Sequence, residues 1–84
     1  MIQEILQAVP AEVQVARAIG AAIVLGLGAF GTGYAQAHIG GSAAGMLAER
    51  PENLGAAIIL VAIPETILVL AFVISIMILL GIGG

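Results

Sequence analysis

Glu65 is a carboxylate set in the middle of a long apolar segment. It is the only charged residue within 54–80, where most other side chains are Ile, Leu, Val or Ala. A segment of this length can cross the hydrocarbon core of a bilayer. An ionised carboxylate at the bilayer centre costs at least about 3 kcal/mol, so such residues are usually functional. Because a bound proton or cation would neutralise the charge, Glu65 is a candidate for reversible ion binding; a purely structural hydrogen bond between helices is the alternative.

Three further features could complete an ion site at Glu65. Residues at equal height on two antiparallel helices have numbers symmetric about the turn, and Gln36 and Glu65 are symmetric about residues 50 and 51. Thr66 adds a hydroxyl, which can donate or accept a hydrogen bond. Pro64 lacks an N–H and so frees backbone carbonyl oxygens nearby. An all-oxygen set of this kind suits a small monovalent cation or a proton held in a hydrogen-bonded carboxyl.

Other residues near the candidate site have simpler explanations. His38 is two residues from Gln36 and points to the opposite side of a helix, so we interpret it as an interfacial polar residue, with ion access as the less favoured alternative. Tyr34 is interpreted as a packing residue, and Pro64 could equally serve only to bend its helix. The chain has no Cys and a single His, which excludes thiolate and imidazole metal clusters.

The composition indicates a membrane protein. Of 84 residues, 62% are hydrophobic and 8% charged, with a mean hydropathy of +1.25, which leaves too few polar side chains to cover a soluble globule. Residues 18–47 carry no formal charge at all. Neither apolar run alternates with a period of two, so we predict helices rather than a barrel. The net charge of −3 and the absence of Lys exclude a basic surface for nucleic acid.

The order of these segments predicts one domain over 1–84, a transmembrane hairpin. The first helix is expected over about 11–48, a polar loop over 49–53 and the second helix over about 54–80. Pro51 prevents the residue before it from continuing a helix. Residues 1–9 are expected to form either a short interfacial helix or a frayed tail. They are not expected to be a secretory signal, since Glu4 stands where a basic residue should be.

The small residues of the first helix predict an assembly. Gly and Ala contribute eight residues each to 18–47. Small residues follow a continuous stripe at the helical period, and small-residue faces allow helices in membranes to approach closely. The stripe is formed by Ala22, Gly26, Ala29, Gly33, Ala37, Gly40, Ala44 and Ala48. A second small face begins with Gly28, Gly31, Ala35 and Ser42. Since close neighbours are expected on more than one side, we predict an all-α membrane protein whose two-helix hairpins assemble into a closed homo-oligomeric ring, in preference to a dimer.

Two segments carry a resemblance to a known family. They are GLGAFGTGYAQAHIGGSAAGMLAERPENLG, at 26–55, and AIPETILVLAFVISIMIL, at 62–79. With this glycine-rich helix, R-P-E loop and P-E-T motif, the chain resembles the proteolipid c subunit of rotary ATP synthases, called subunit K in the archaeal and vacuolar-type branch. The P-E-T form, and a second helix that is short before its carboxylate, favour that branch.

The resemblance implies a non-catalytic rotor subunit of the cell membrane, with two transmembrane helices, no cofactor and no ATP site of its own. It implies that Glu65 carries H⁺ or Na⁺ and couples ion flow to ring rotation and ATP synthesis. Gln36, Thr66 and the backbone carbonyl of Ile63 match positions that complete the ion site in sodium-translocating relatives. The expected partners are identical subunits, membrane lipid, a stator subunit that supplies an arginine, and a central stalk. The loop residues matched to stalk contact are Arg50, Pro51 and Glu52.

Some alternatives stay open at this point. Gln36 and Thr66 are compatible with sodium, but proton-driven relatives also keep both, and we expect the proton. The main rival function is a small oligomeric cation channel in which Glu65 forms a ring around a pore. Another is an assembly hairpin whose Glu65 pairs with a basic residue of a partner helix. A thin first helix should line the inside of a ring, which places the Glu65 helix outside and disfavours the channel.

Overall fold

A computed structural model describes residues 1–82, apart from the side chains of Ile5 and Leu6. The described chain is all-helical and elongated, with principal extents of 59 × 20 × 17 Å. Its elements are α1 (Ile2–Ala8), α2 (Ala11–Glu49), a 3-10 turn (Pro51–Asn53), α3 (Leu54–Ala62) and α4 (Glu65–Leu80). α2 packs along α3 and α4 as one hairpin. Both α2 and the segment Pro51–Leu80 are long and apolar enough to cross a membrane.

The turn of the hairpin is short and exposed. α2 ends at Glu49, and Arg50 leaves the helical region with φ −137° and ψ 80°. The backbone N–H of Arg50 still donates to the Met46 carbonyl at 2.7 Å. Pro51 then begins the 3-10 turn, where its missing N–H is no loss. Glu49, Arg50, Pro51 and Glu52 are all exposed at this end of the molecule.

The second predicted helix is divided in two at Pro64. A single helix was expected over 54–80, whereas α3 ends at Ala62 and α4 begins at Glu65. Pro64 has no N–H to continue the ladder of helical hydrogen bonds. Ile63 and Pro64 nevertheless keep helical dihedral angles, with φ −55° and −62°. The helix is therefore interrupted in its hydrogen bonding while its backbone conformation stays close to helical.

The buried residues of α2 lie on one face. Ala21, Thr32 and Ala43 follow each other at intervals of eleven residues, which is three turns of a nearly straight helix. They are matched on the other arm of the hairpin by buried small residues, which are Ala57, Ala71 and Ser75. With so little side-chain volume between them, the backbones approach closely.

The closest approach is between Gly28 and Ala71. A Cβ atom at Gly28 would lie 2.7 Å from the Cβ atom of Ala71, a separation that real side chains do not show. One step along the contact, the Ser75 hydroxyl donates to the Ala21 carbonyl at 2.8 Å. Glycine at 28 is therefore required by the packing of α2 on α4.

The far end of the hairpin is closed by a glycine and an arginine. Gly81 has φ 72°, and the N–H groups of residues 81 and 82 bond back to the carbonyls of Ile78 and Met77. This left-handed cap is the usual glycine ending of a helix. The Arg17 guanidinium lies against Gly81, where a cation also complements the helix dipole. Of the two alternatives for the first residues, the structure has a helix, α1.

Candidate ion-binding site

Glu65 and Gln36 are in direct contact. The Gln36 Nε2 atom donates to Oε2 of Glu65 at 2.7 Å, which joins the amide of α2 to the first residue of α4. The symmetry of the hairpin about its turn predicted that these two residues lie at the same height. Gln36 is half-buried while Glu65 is exposed on the surface of the isolated hairpin.

Three backbone carbonyls around the helix break accept hydrogen bonds from side chains. The Val61 carbonyl accepts from Gln36 Nε2 at 3.2 Å, and the Ile63 carbonyl accepts from the Thr66 hydroxyl at 2.8 Å. The Pro64 carbonyl accepts from the hydroxyl of Thr32 at 3.1 Å. Polar groups that a proline exposes in an apolar environment need partners of this kind. Side chains from both arms of the hairpin thus bond to the backbone at the break, where the Ile63 and Pro64 carbonyls also accept the N–H groups of Thr66 and Ile67.

The two donors from α2 are one turn apart. Thr32 and Gln36 are at i and i+4, so they share the face of α2 that meets the break. Thr32 is 2% exposed, and it was not among the residues predicted for the site. The available signal was its position one helical turn before Gln36. A hydroxyl in an apolar helix also needs a partner, although the sequence does not say which.

The predicted residues are brought together in part. Glu65, Gln36, Thr66 and the Ile63 carbonyl all lie at the break. The Thr66 hydroxyl is directed to the carbonyl of its own helix turn rather than to Glu65. The loop residues lie at the turn of the hairpin, away from this cluster, and they are Arg50, Pro51 and Glu52.

His38 and Tyr34 lie away from the Glu65 cluster. Nδ1 of His38 is 2.9 Å from the Tyr34 carbonyl, and since a carbonyl only accepts, Nδ1 carries the proton. The His38 and Tyr34 rings are tilted by 44° to each other with centroids 4.4 Å apart, and the Phe30 ring is stacked on the Tyr34 ring at 6.4 Å. His38 borders a different groove from the one that contains Glu65.

The surface beside Glu65 is an apolar groove of about 520 Å³. Gln36 and Glu65 supply its polar end, and the rest is lined by small and aliphatic side chains such as Ala44, Leu47 and Ile58. Among residues 1–82, no three His, Asp or Glu side chains come together to hold a metal ion. One carboxylate with an amide, a hydroxyl and carbonyls provides a single negative charge, which suits a proton or a monovalent cation.

Comparisons with known proteins indicate which family the chain is similar to. A family model that describes the C subunit of ATP synthase matches residues 19–78, which include both arms of the hairpin and the break. The A-type ATP synthase subunit K of Methanocaldococcus jannaschii is 37% identical over 62 residues, or 74% of this chain. The aligned segment spans only 28% of that relative's length. No solved structure matches the chain.

Proposed function

The chain belongs to the family of ATP synthase C subunits, and on that premise we propose that it is the ion-carrying subunit of a rotor ring in an archaeal-type ATP synthase. The observation that carries the proposal is the Gln36–Glu65 contact at 2.7 Å, made beside a helix break in an otherwise apolar segment. Glu65 is the ion carrier in this proposal. Gln36, Thr66 and the Ile63 carbonyl hold the carboxyl and its ion in place.

Neutralisation of Glu65 would let the site face lipid. With a proton or a cation bound, the carboxyl avoids the cost of placing an unpaired charge in hydrocarbon. Loss of the ion next to an aqueous channel and a stator arginine would leave a charge that cannot enter lipid, which prevents backward rotation at that point. A membrane potential supplies about 2.3 kcal/mol per elementary charge for each 100 mV.

The proton is the better candidate for the ion. In the described structure, the Gln36 amide donates to Glu65 and Val61, and the Thr66 hydroxyl donates to Ile63. A sodium ion would need several oxygen ligands besides the carboxylate, drawn from the Gln36 carbonyl, the lone pairs of the Thr66 hydroxyl and the Ile63 carbonyl. A proton needs only one oxygen of Glu65, and Gln36 already holds that carboxyl by a hydrogen bond. We therefore propose H⁺ as the transported ion.

A ring of identical hairpins fits the surfaces that the hairpin leaves open. Cβ atoms added at Gly26, Gly33 and Gly40, three members of the small-residue stripe, would meet nothing within 4 Å. The stripe is therefore not used in packing α2 on α4, and a second copy is its proposed partner. The thin α2 would then face the inside of the ring and the bulky α3 and α4 the outside, which brings Glu65 near lipid and the stator. The exposed turn at 50–52 is the proposed contact for the central stalk.

The test is ion-driven ATP synthesis by the complete complex in proteoliposomes. Glu65→Gln should reduce synthesis to the level seen without a gradient, because an amide cannot release and regain a proton. Glu12→Gln is the matched control, since Glu12 is an exposed carboxylate in the first turn of α2. It should leave synthesis unchanged. Ring assembly of both variants is checked on gels, and gradient-driven synthesis by an assembled E65Q complex would contradict the proposal.

A further inference from the structure

Thr32 is a buried side chain tied to the residue before the ion carrier. Its hydroxyl donates to the Pro64 carbonyl at 3.1 Å, and the side chain is 2% exposed. The same carbonyl accepts the N–H of Ile67 at 3.1 Å, so it does not need Thr32 to be satisfied. The Thr32 bond is thus an additional restraint on the peptide group that joins Pro64 to Glu65.

We propose that Thr32 is a positioning residue for the Glu65 site, a role that rests on the proposed function of Glu65. A proline break loosens a helix because a ladder hydrogen bond is missing. Thr32 compensates for this by linking the residue before Glu65 to the buried face of α2. Gln36, one turn further along that face, then meets the carboxyl at 2.7 Å.

The geometry distinguishes Thr32 from an ordinary packing residue. Its hydroxyl crosses between the two arms of the hairpin at the break itself, on the peptide next to the carboxylate. The described structure contains one other buried hydroxyl with a bond across the hairpin, that of Ser75 to the Ala21 carbonyl at 2.8 Å. That bond is ten residues beyond Glu65 along α4 and far from the site. Ser75 is therefore a matched control, with the same kind of bond and no contact with the site.

The experiment measures the rate at which a hydrophobic carbodiimide modifies Glu65 in the purified oligomer, at one pH and one sodium concentration. Thr32→Val keeps the shape and removes the hydroxyl. It should accelerate modification by about threefold to tenfold, the range produced by loss of one intramolecular hydrogen bond. The reason is that a carboxyl held by Gln36 for less of the time is more often free to react. Thr32→Ser, which keeps the hydroxyl, and Ser75→Ala should both be modified at the wild-type rate.

Each outcome decides the proposal. An unchanged rate in T32V, or an equal acceleration in T32V and S75A, would overturn the role of Thr32 and leave the function of Glu65 intact. If the wild-type oligomer itself is not modified at Glu65, the proposed function fails and the inference fails with it. Should T32V not assemble, T32S and T32A give the same comparison, because they differ only in the hydroxyl. Equal rates in that pair would also overturn the proposal.

Discussion

The two halves of the hairpin are packed differently. Between α2 and α4 the contact is close and polar groups bridge it, through Gly28 against Ala71 and the Ser75 hydroxyl on the Ala21 carbonyl. Between α2 and α3 the described structure has no side-chain hydrogen bond other than the one from Gln36 to Val61 at the break. The buried residues there are alanines, and an apolar groove of about 520 Å³ lies open beside them.

Glu65 lies at the boundary between these halves, and its position explains how one site can be both ordered and accessible. On the α4 side it follows a peptide that Thr32 holds to α2. On the α3 side it opens onto the groove. The proposed ion exchange at Glu65 needs both properties, since a fixed geometry gives affinity and an open side gives access.

The largest effect should come from a side chain forced between α2 and α4, which form the closely packed half of the hairpin, here called the close half. Gly28→Leu would place atoms where even a Cβ lies 2.7 Å from Ala71, and overpacking of this kind costs about 1–3 kcal/mol or more. The arms should separate at lower SDS concentration. Energy transfer between dyes on cysteines introduced at Val13 and Ile82 reports this, because the chain has no Cys of its own.

Gly33→Leu is the control for that prediction. Nothing lies within 4 Å of a Cβ at Gly33, so the two arms should separate at the wild-type SDS concentration. The oligomer should nevertheless be lost, because Gly33 is in the stripe assigned to a second copy. If the two arms separate at the same SDS concentration in G28L and G33L, the packing of α2 on α4 at Gly28 is not closer than elsewhere on α2.

A smaller effect should follow from removing the hydroxyl of Ser75. Ser75→Ala deletes one buried hydrogen bond of the close half, worth about 0.5–1.5 kcal/mol. The Ala21 carbonyl keeps its hydrogen bond within the helix α2. The midpoint of the same SDS titration should fall by less than in G28L. A midpoint equal to that of the wild type would mean that close packing alone, without the hydroxyl, holds α4 to α2.

Much of this architecture follows from simple sequence features. The length of the two apolar segments predicts two membrane spans, and the charged, proline-containing segment between them predicts where the chain turns back. From those two features alone, Gln36 can be set level with Glu65, because antiparallel helices impose symmetry about their turn. The proline next to Glu65 indicates missing hydrogen bonds, although not whether the helix bends or divides.

The bonds to backbone carbonyls could not be predicted. Every residue has a carbonyl, so an acceptor such as that of Pro64 leaves no trace in the residue types. Thr32 is visible as a hydroxyl in an apolar helix, but its partner depends on the relative tilt of the two arms. In the sequence, Gly28 cannot be told apart from the other glycines of α2. Only the packed structure shows that Ala71 faces it.

The most direct test of the central claim is to map which carboxyl a hydrophobic carbodiimide modifies in the purified oligomer. Such a reagent enters apolar surroundings and reacts with a neutral, protonated carboxyl. Of the five Glu residues, Glu65 alone should be modified, and added sodium at constant pH should not slow the reaction if the ion is a proton. Protection by sodium would identify Na⁺ as the ion instead. No modification of Glu65, or equal modification of the other four glutamates, would contradict the claim that the Glu65 carboxyl is held neutral against lipid.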